Sequence, residues 1–275
     1  MKKIAVLGPS GTFSETAYYK LCGQNESEIV FEPTIASVFE RLKETDGAVV
    51  PIENTLDGFV SQTIDELIER NLHLVRECSL DVQYAFLLNG TSPSECRRLF
   101  VQFAAMGQCQ RFLATLPHDV AKVMTSSNME SHRLLLAKVP GDGAIVPIDQ
   151  ANGFEGFVQS GVADSILNAT RFVLVQKAPC SMAGGTIRVA VAVTPREDRP
   201  GLLYDLLGIF KKYGVNLSAI LSRPAKSAMG VYRFYLEMIG KEADEASIRQ
   251  AVQTAQNAFD IRILGIIPAV LHSQD

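Results

Sequence analysis

Two stretches of the 275-residue chain repeat one another. GAVVPIENTLDGF at 47–59 and GAIVPIDQANGFEGF at 143–157 both read Gly-Ala-aliphatic-Val-Pro-Ile, followed by an acid and an amide. Each is an apolar run of strand length that stops at a polar turn. Chance can produce one match this short, and so would two similar α/β lobes facing each other, an architecture with a cleft between them. Short β-like runs alternate with helical periods around the first copy: KIAVLG, 14–21, 36–42, GAVVPI and 60–68. That alternation predicts α/β layers around a largely parallel sheet, within a domain spanning 1–177.

After a small, charge-free stretch that reads as a linker, APCSMAGGT at 178–186, the pattern changes. TIRVAVAV alternates like a strand; Leu202, Leu203, Leu206, Leu207 and Phe210 fall at helical spacing over 201–213; 215–221 and 230–239 are strand-like. A polar helix over 243–258 precedes a last strand, IRILGII. The order βαββαβ is the ferredoxin-like arrangement and predicts a second, smaller domain over 186–271.

A net charge of -4 without any basic run excludes an electrostatic footprint for nucleic acid or anionic lipid. The N-terminal MKKIAVLGPSG is too short in apolar residues for a signal-peptide core, and no stretch reaches the length of a membrane span, so a cytoplasmic protein is expected. Five cysteines without a Cys-x-x-Cys pair, and four histidines outside ligand spacing, predict reduced thiols and no structural metal.

In an open α/β sheet, ligands sit beyond the carboxyl ends of strands, where helix N-termini present free N–H groups. Glu53 and Asn54 occupy such a place, with Asp57 as a candidate cap for the next helix and Gly58 allowing close backbone approach. A plain turn and cap fits this stretch equally well. GPSGTFSETA near the N-terminus repeats the design, with Thr12-x-x-Glu15 as a capping box, and is neither a Walker loop nor a dinucleotide fingerprint. At the end of the first region, a strand over 170–176 puts Thr170 and Phe172 on one face and Arg171 on the other.

Taken together, GPSGTFSETA, VVPIENTLDG and Asp164-x-x-x-Asn168-x-Thr170-Arg171-Phe172 resemble the motifs of the prephenate dehydratase family. Arg199-Pro200-Gly201-Leu202-Leu203-Tyr204 and Leu221-Ser222-Arg223-Pro224 resemble the phenylalanine-binding motifs of that family's C-terminal ACT domain. The resemblance implies a two-lobed catalytic domain related in fold to periplasmic binding proteins, with the site between the lobes. It also implies an ACT module for feedback inhibition by L-phenylalanine, and a homodimer or homotetramer.

The family reaction converts prephenate to phenylpyruvate with loss of water and carbon dioxide. Aromatisation drives it, so hydroxyls and amides suffice to hold the dianion and assist the departing hydroxyl, and no cofactor is implied. By resemblance, Thr170 is the donor to the departing hydroxyl, Asn54 and Gln108 orient substrate, and Thr12, Phe13 and Ser14 line the cleft. Arg171 serves either substrate charge or a structural ion pair. Glu53 is either a protonated acid or an orienter of Asn54. Gly201, Leu202, Leu203, Asn216, Ser222, Arg223 and Pro224 are the expected effector residues. The chain departs from the family at Val101-Gln102-Phe103-Ala104, in place of Ser-His-Pro-Gln, and at Ser127-Asn128-Met129, in place of Ser-Thr-Ala. Low turnover, raised by Val101→Ser, is the expectation; Leu221, where the family prefers glutamate, predicts weakened effector binding. Arogenate dehydration or another reaction of a prephenate-like acid, and a non-catalytic phenylalanine sensor, are the alternatives.

Overall fold

The structure, a computed structural model, describes residues 1–24, 26–179, 185–226 and 231–270. Most of the expected linker, with Cys180, and the Gly230 start of one expected strand lie outside the described residues. The first lobe runs β1 (Lys2–Leu7), α1 (Phe13–Cys22), β2 (Ser27–Glu32), α2 (Ile35–Arg41), β3 (Gly47–Asn54), the two-residue β4 (Gly58–Phe59), α3 (Ser61–Glu69) and β5 (His73–Asp81). The second holds β6 (Tyr84–Leu88), β7 (Arg98–Gln102), α4 (Phe103–Gln108), α5 (Gln110–Leu113), β8 (Ala121–Thr125), α6 (Asn128–Leu135), β9 (Asp142–Pro147) and β10 (Phe157–Ser160). β11 (Ala169–Gln176) then returns to the first lobe, where it lies between β3 and β5.

The repeated sequence becomes β3 in one lobe and β9 in the other, at equivalent places. The sheets contain β2-β1-β3 and β8-β7-β9 in parallel pairing, each flanked on the far side by an antiparallel strand, β11 or β6. Both sheets are therefore mixed, rather than largely parallel. The cause is connectivity: β6 and β11 arrive directly from the opposite lobe, with no crossover helix to turn the chain back into parallel pairing.

The last region forms β12 (Thr186–Pro195), α7 (Leu202–Lys212), β13 (Leu217–Pro224), β14 (Tyr232–Lys241), α8 (Glu245–Ala255) and β15 (Phe259–Pro268), in the sheet order β13-β14-β12-β15. This is the expected ferredoxin-like order. Residues 187–193 of β12 are buried without interruption, so both faces of the sheet need a cover. α7 and α8 supply one, through Leu206, Phe210, Ile248 and Val252 packed on Val189 and Leu236. The first lobe supplies the other: Ala190, Ala192, Tyr235 and Leu264 share a core with Ile52, Ile64 and Leu67.

The two regions are also pinned along α3. Arg262 donates to the carbonyls of Leu67 at 2.6 Å, Ile68 at 2.9 Å and Arg70 at 2.6 Å, which satisfies the open C-terminal end of the helix with a cation where its dipole favours one. Where β15 crosses β5 the backbones nearly touch. A Cβ on Gly265 would lie 2.7 Å from the carbonyl oxygen of Leu74. Gly265→Ala is expected to cost about 1–3 kcal/mol by overpacking, read as a lowered denaturant midpoint; an unchanged midpoint would show that the interface yields freely.

Candidate active site

The ends of β3 and β11 lie side by side, with Thr170 opposite Asn54 and Arg171 opposite Glu53. Because side chains alternate along a strand, one pair faces each way. On one face, Asn54 Nδ2 donates to Thr170 Oγ1 at 2.9 Å, to Asn168 Oδ1 at 2.8 Å and to the Ala169 carbonyl at 3.2 Å. Asn168 in turn donates from Nδ2 to Gln108 Oε1 at 3.0 Å. The amide of Asn54 also has its oxygen occupied, by the backbone N–H groups of Leu56 at 2.9 Å and Asp57 at 3.1 Å. Four side chains from both lobes thus form one chain of hydrogen bonds, Gln108–Asn168–Asn54–Thr170. Thr170 accepts within it, which leaves its own hydroxyl proton to be donated.

Gln108 and Asn168 open onto a cavity of about 450 Å³, walled also by Leu56 and Asp57 of the first lobe and Phe103 of the second. Asn168 is only 1 % exposed and is the hub of the network. It stands inside the Asp164–Phe172 motif, but its role as a link between two expected site residues has no signature in sequence.

The lobes meet again at the first turn of the chain. Met129, second in α6, packs so closely on Gly11 (φ 85°) that a Cβ there would lie 2.6 Å from its sulfur. The starts of α1 and α6 are thereby brought together across the lobes, where the Glu15 carboxylate takes the Gly11 N–H and the Glu130 carboxylate takes the Ser126 N–H. Phe13 opens α1 and reaches across to Tyr84 of β6, ring edge to face at 6.2 Å. Burial pushes the Tyr84 hydroxyl up to about 12, so it stays neutral; burial likewise pushes the Cys109 thiol up to about 12, which removes it as a nucleophile. Tyr84 carries no motif that would have marked it in the sequence. Asn128 Oδ1, at the start of α6, is buried without a hydrogen-bond partner among the described residues.

Several expectations need correction. Arg171 and Glu53 face away from the Asn54–Thr170 pair and bind each other, Arg171 Nη2 to Glu53 Oε2 at 2.8 Å. Arg171 further engages Glu77 at 3.0 Å and Glu237 at 2.8 Å, the structural ion pair rather than a substrate contact. Glu53 neither bonds Asn54 nor stands as an isolated acid. Thr12 does not complete a capping box: its hydroxyl donates to the Pro9 carbonyl at 3.0 Å, while Glu15 alone reaches back to the Gly11 N–H. Ser14 is buried beneath the turn. Asp57 does not cap α3, which begins after Val60. Val101 is fully buried in the second lobe's core, which sets a serine hydroxyl there among apolar side chains rather than at an open surface. Val101→Ser is expected to cost about 1–3 kcal/mol for an unsatisfied buried hydroxyl, seen as a lowered melting temperature without any rise in kcat.

In the C-terminal region, Gly201 adopts φ 82° immediately before α7. A cavity of about 220 Å³ next to Leu202 has an apolar side, Pro195, Tyr232 and Phe234, and a charged side, Arg196, Glu197 and Asp198. Asn216 and Ser222 are exposed, the latter with Pro224 on the edge strand β13. Arg223 is not free for a ligand, since its guanidinium binds Asp65 through two bonds of 2.7 and 2.8 Å and Ser61 at 3.1 Å.

This geometry agrees with what the chain is similar to. The family model for prephenate dehydratase matches residues 4–180, and that for the ACT domain matches 196–255. A prephenate dehydratase from Mycobacterium marinum is 30% identical over 282 residues, covering 98% of this chain and 89% of that one. One from Methanocaldococcus jannaschii is 28% identical, covering 94% and 96%. Among solved structures, the prephenate dehydratase from Staphylococcus aureus superposes with a TM-score of 0.82 at 27% identity, over 97% of this chain and all of that one. The enzyme from Arthrobacter aurescens, solved in complex with L-Phe, gives 0.80 at 28%, over 98% and 93%. With two lobes bridged by hydrogen-bonded amides and a threonine, and an ACT-type sheet packed behind them, the chain belongs to the prephenate dehydratase family.

Proposed function

We propose that residues 1–177 catalyse the decarboxylating dehydration of prephenate to phenylpyruvate and that residues 186–271 regulate it by binding L-phenylalanine. The observation that carries this reading is the Gln108–Asn168–Asn54–Thr170 chain, which spans both lobes and leaves one hydroxyl proton undonated. Loss of hydroxide from a ring needs a donor at the leaving oxygen, and Thr170 supplies it. Asn54 fixes the threonine rotamer by donating to it, and Gln108, through Asn168, ties that rotamer to the second lobe. The apolar Phe13 edge helps strip water from the carboxylate that leaves. The residues need no metal or cofactor for this step.

The site reading is tested by incubating the protein with prephenate and assaying phenylpyruvate. Formation of phenylalanine from arogenate, with no phenylpyruvate from prephenate, would move the reading to an arogenate dehydratase; neither product from folded protein would leave a sensor. No helix among the described residues is long and apolar enough to cross a membrane, and we place the protein in the cytoplasm. The unpaired outer edge of β13, with Ile220 exposed, is suited to side-by-side pairing of two C-terminal regions in a homodimer or homotetramer.

L-phenylalanine fits the cavity at the start of α7, its carboxylate on the helix N-terminus at Gly201 and its ring against Leu202 and Phe234. At a concentration about 100 times Kd it would stabilise the fold by roughly 2.7 kcal/mol, visible as a raised melting temperature. An unmoved melting temperature at millimolar phenylalanine, with no heat in calorimetry, would remove the effector from the proposal.

A further inference from the structure

Behind the catalytic pair lies a ring of charges shared equally by the two regions. Arg171 on β11 and Glu77 on β5 come from the first lobe; Arg188 on β12 and Glu237 on β14 come from the C-terminal region. Around the ring, Arg171 meets Glu77 at 3.0 Å, Glu77 meets Arg188 at 2.9 Å, Arg188 meets Glu237 at 2.6 Å, and Glu237 meets Arg171 at 2.8 Å. All four side chains are at least nine-tenths buried. Tyr235, fully buried, donates its hydroxyl to Glu237 at 2.5 Å, and its ring packs on Phe59, over which the Arg171 guanidinium also sits at 5.7 Å.

Two features give this ring more than a packing role. Each region supplies one cation and one anion, so Arg171–Glu77 and Arg188–Glu237 would persist if the regions shifted and the two cross-pairs parted. No charge would be left without a partner, which lowers the penalty for moving a buried ionic interface to the loss of the two cross-pairs. The ring also sits on the reverse of strands that carry the two sites. On β14, Tyr232 and Phe234 line the cavity beside α7, while Tyr235 and Glu237 enter the ring. On β11, Arg171 is in the ring and Thr170 is in the cleft network.

We propose that the Arg171–Glu237 pair is a positioning link through which the C-terminal region sets the Thr170 hydroxyl, and that an amino acid bound beside α7 acts by exchanging cross-region for within-region pairing. The proposal rests on the reading of the cleft as catalytic and of the α7 cavity as an effector site. Arg171 and Glu237 touch no substrate in it; they act through the backbone of β11, one residue from Thr170. The effector shifts turnover only as far as it binds one pairing state better than the other.

The test uses the full chain with Glu237→Gln and, as a milder change that keeps every charge, Tyr235→Phe. Glu237→Gln is expected to lower kcat at least about fivefold with KM little changed, and to leave phenylalanine binding by calorimetry intact while weakening its inhibition at least about fivefold. Tyr235→Phe moves both in the same direction by less, and carries the test if Glu237→Gln does not fold. A purely structural ring would lower the melting temperature in both variants yet leave kcat and the inhibition by phenylalanine at wild-type values, which would overturn the proposal. Should the wild-type protein neither turn over prephenate nor bind phenylalanine, the functional reading fails by itself. The link is then read by hydrogen exchange over residues 168–172: faster exchange in Tyr235→Phe, with β7 unchanged, supports it, and unchanged exchange overturns it.

Discussion

Replacing Thr170 by alanine is expected to lower kcat about 10²–10³-fold, the usual loss when one preorganised transition-state donor is removed. The structure explains why that hydroxyl cannot easily be replaced by water. Asn54 Nδ2 donates to it at 2.9 Å, so its lone pair is engaged and its proton is left to point away from the amide. Asn54 is itself held at both ends, by the Leu56 and Asp57 N–H groups on its oxygen and by Asn168 on its nitrogen. A water in the cavity left by alanine would have to find this orientation unaided, and would lose the geometric advantage of a fixed donor. Thr170→Ser retains the hydroxyl and is expected to recover most of the loss, while Thr170→Val, equal in shape, is not. Because Thr170 sits at the end of a strand whose interior is otherwise unchanged, the melting temperature of Thr170→Ala stays near wild type. Wild-type kcat in Thr170→Ala, or equal losses in the serine and valine variants, would remove the donor role.

Much of this site was legible because strand periodicity is rigid. The alternation at 170–172 already separates Thr170 from Arg171, and the abrupt polar end of GAVVPIEN puts Asn54 beside whichever strand pairs with it. The repeat at 47–59 and 143–157 identifies the two strands that occupy the same place in their lobes, and the βαββαβ order of the last region is local enough to read from spacing alone. What sequence could not supply were pairings over long separations. Arg171 has partners at 53, 77 and 237, and its alternation says only that it leaves the cleft, not that carboxylates await it there. The same holds for Arg223, whose motif suggests a ligand but whose guanidinium meets Asp65 on α3. The capping roles given to Thr12 and Asp57 fail for a different reason: short polar side chains near a helix start have several backbone groups within reach, and here the Pro9 carbonyl and the turn after Asn54 decide the outcome. The sheets come out mixed because strand direction depends on which lobe the chain arrives from, a property of the path rather than of any strand.

Arg171→Met is expected to destabilise the protein by about 3–5 kcal/mol, the range for breaking a buried ion pair by removing one partner. The four-membered ring is neutral in the wild type, with two guanidinium groups against Glu77 and Glu237; Glu53 lies at its exposed end, 36% accessible, and is free to turn to solvent. Methionine fills part of the space but leaves Glu77 and Glu237 to share Arg188 alone. Glu237 shows what this means: burial by itself would raise its pKa, and the guanidinium groups of Arg171 and Arg188 more than offset that, holding it below the usual carboxylate range. Without Arg171 one of the two carboxylates must take up a proton, or draw in water. The same reasoning fixes the behaviour of the double variant. Adding Glu237→Gln to Arg171→Met restores neutrality, because Arg188 then pairs with Glu77 as it already does at 2.9 Å. The double variant should therefore be more stable than the sum of the two single losses by about 0.5–3 kcal/mol, the coupling seen between residues in one ionic network. Denaturant midpoints of the wild type, both single variants and the double variant complete the cycle. Additive losses would mean that the ring is four separate contacts; a shortfall of that size shows that its charges are balanced as one unit across the two regions.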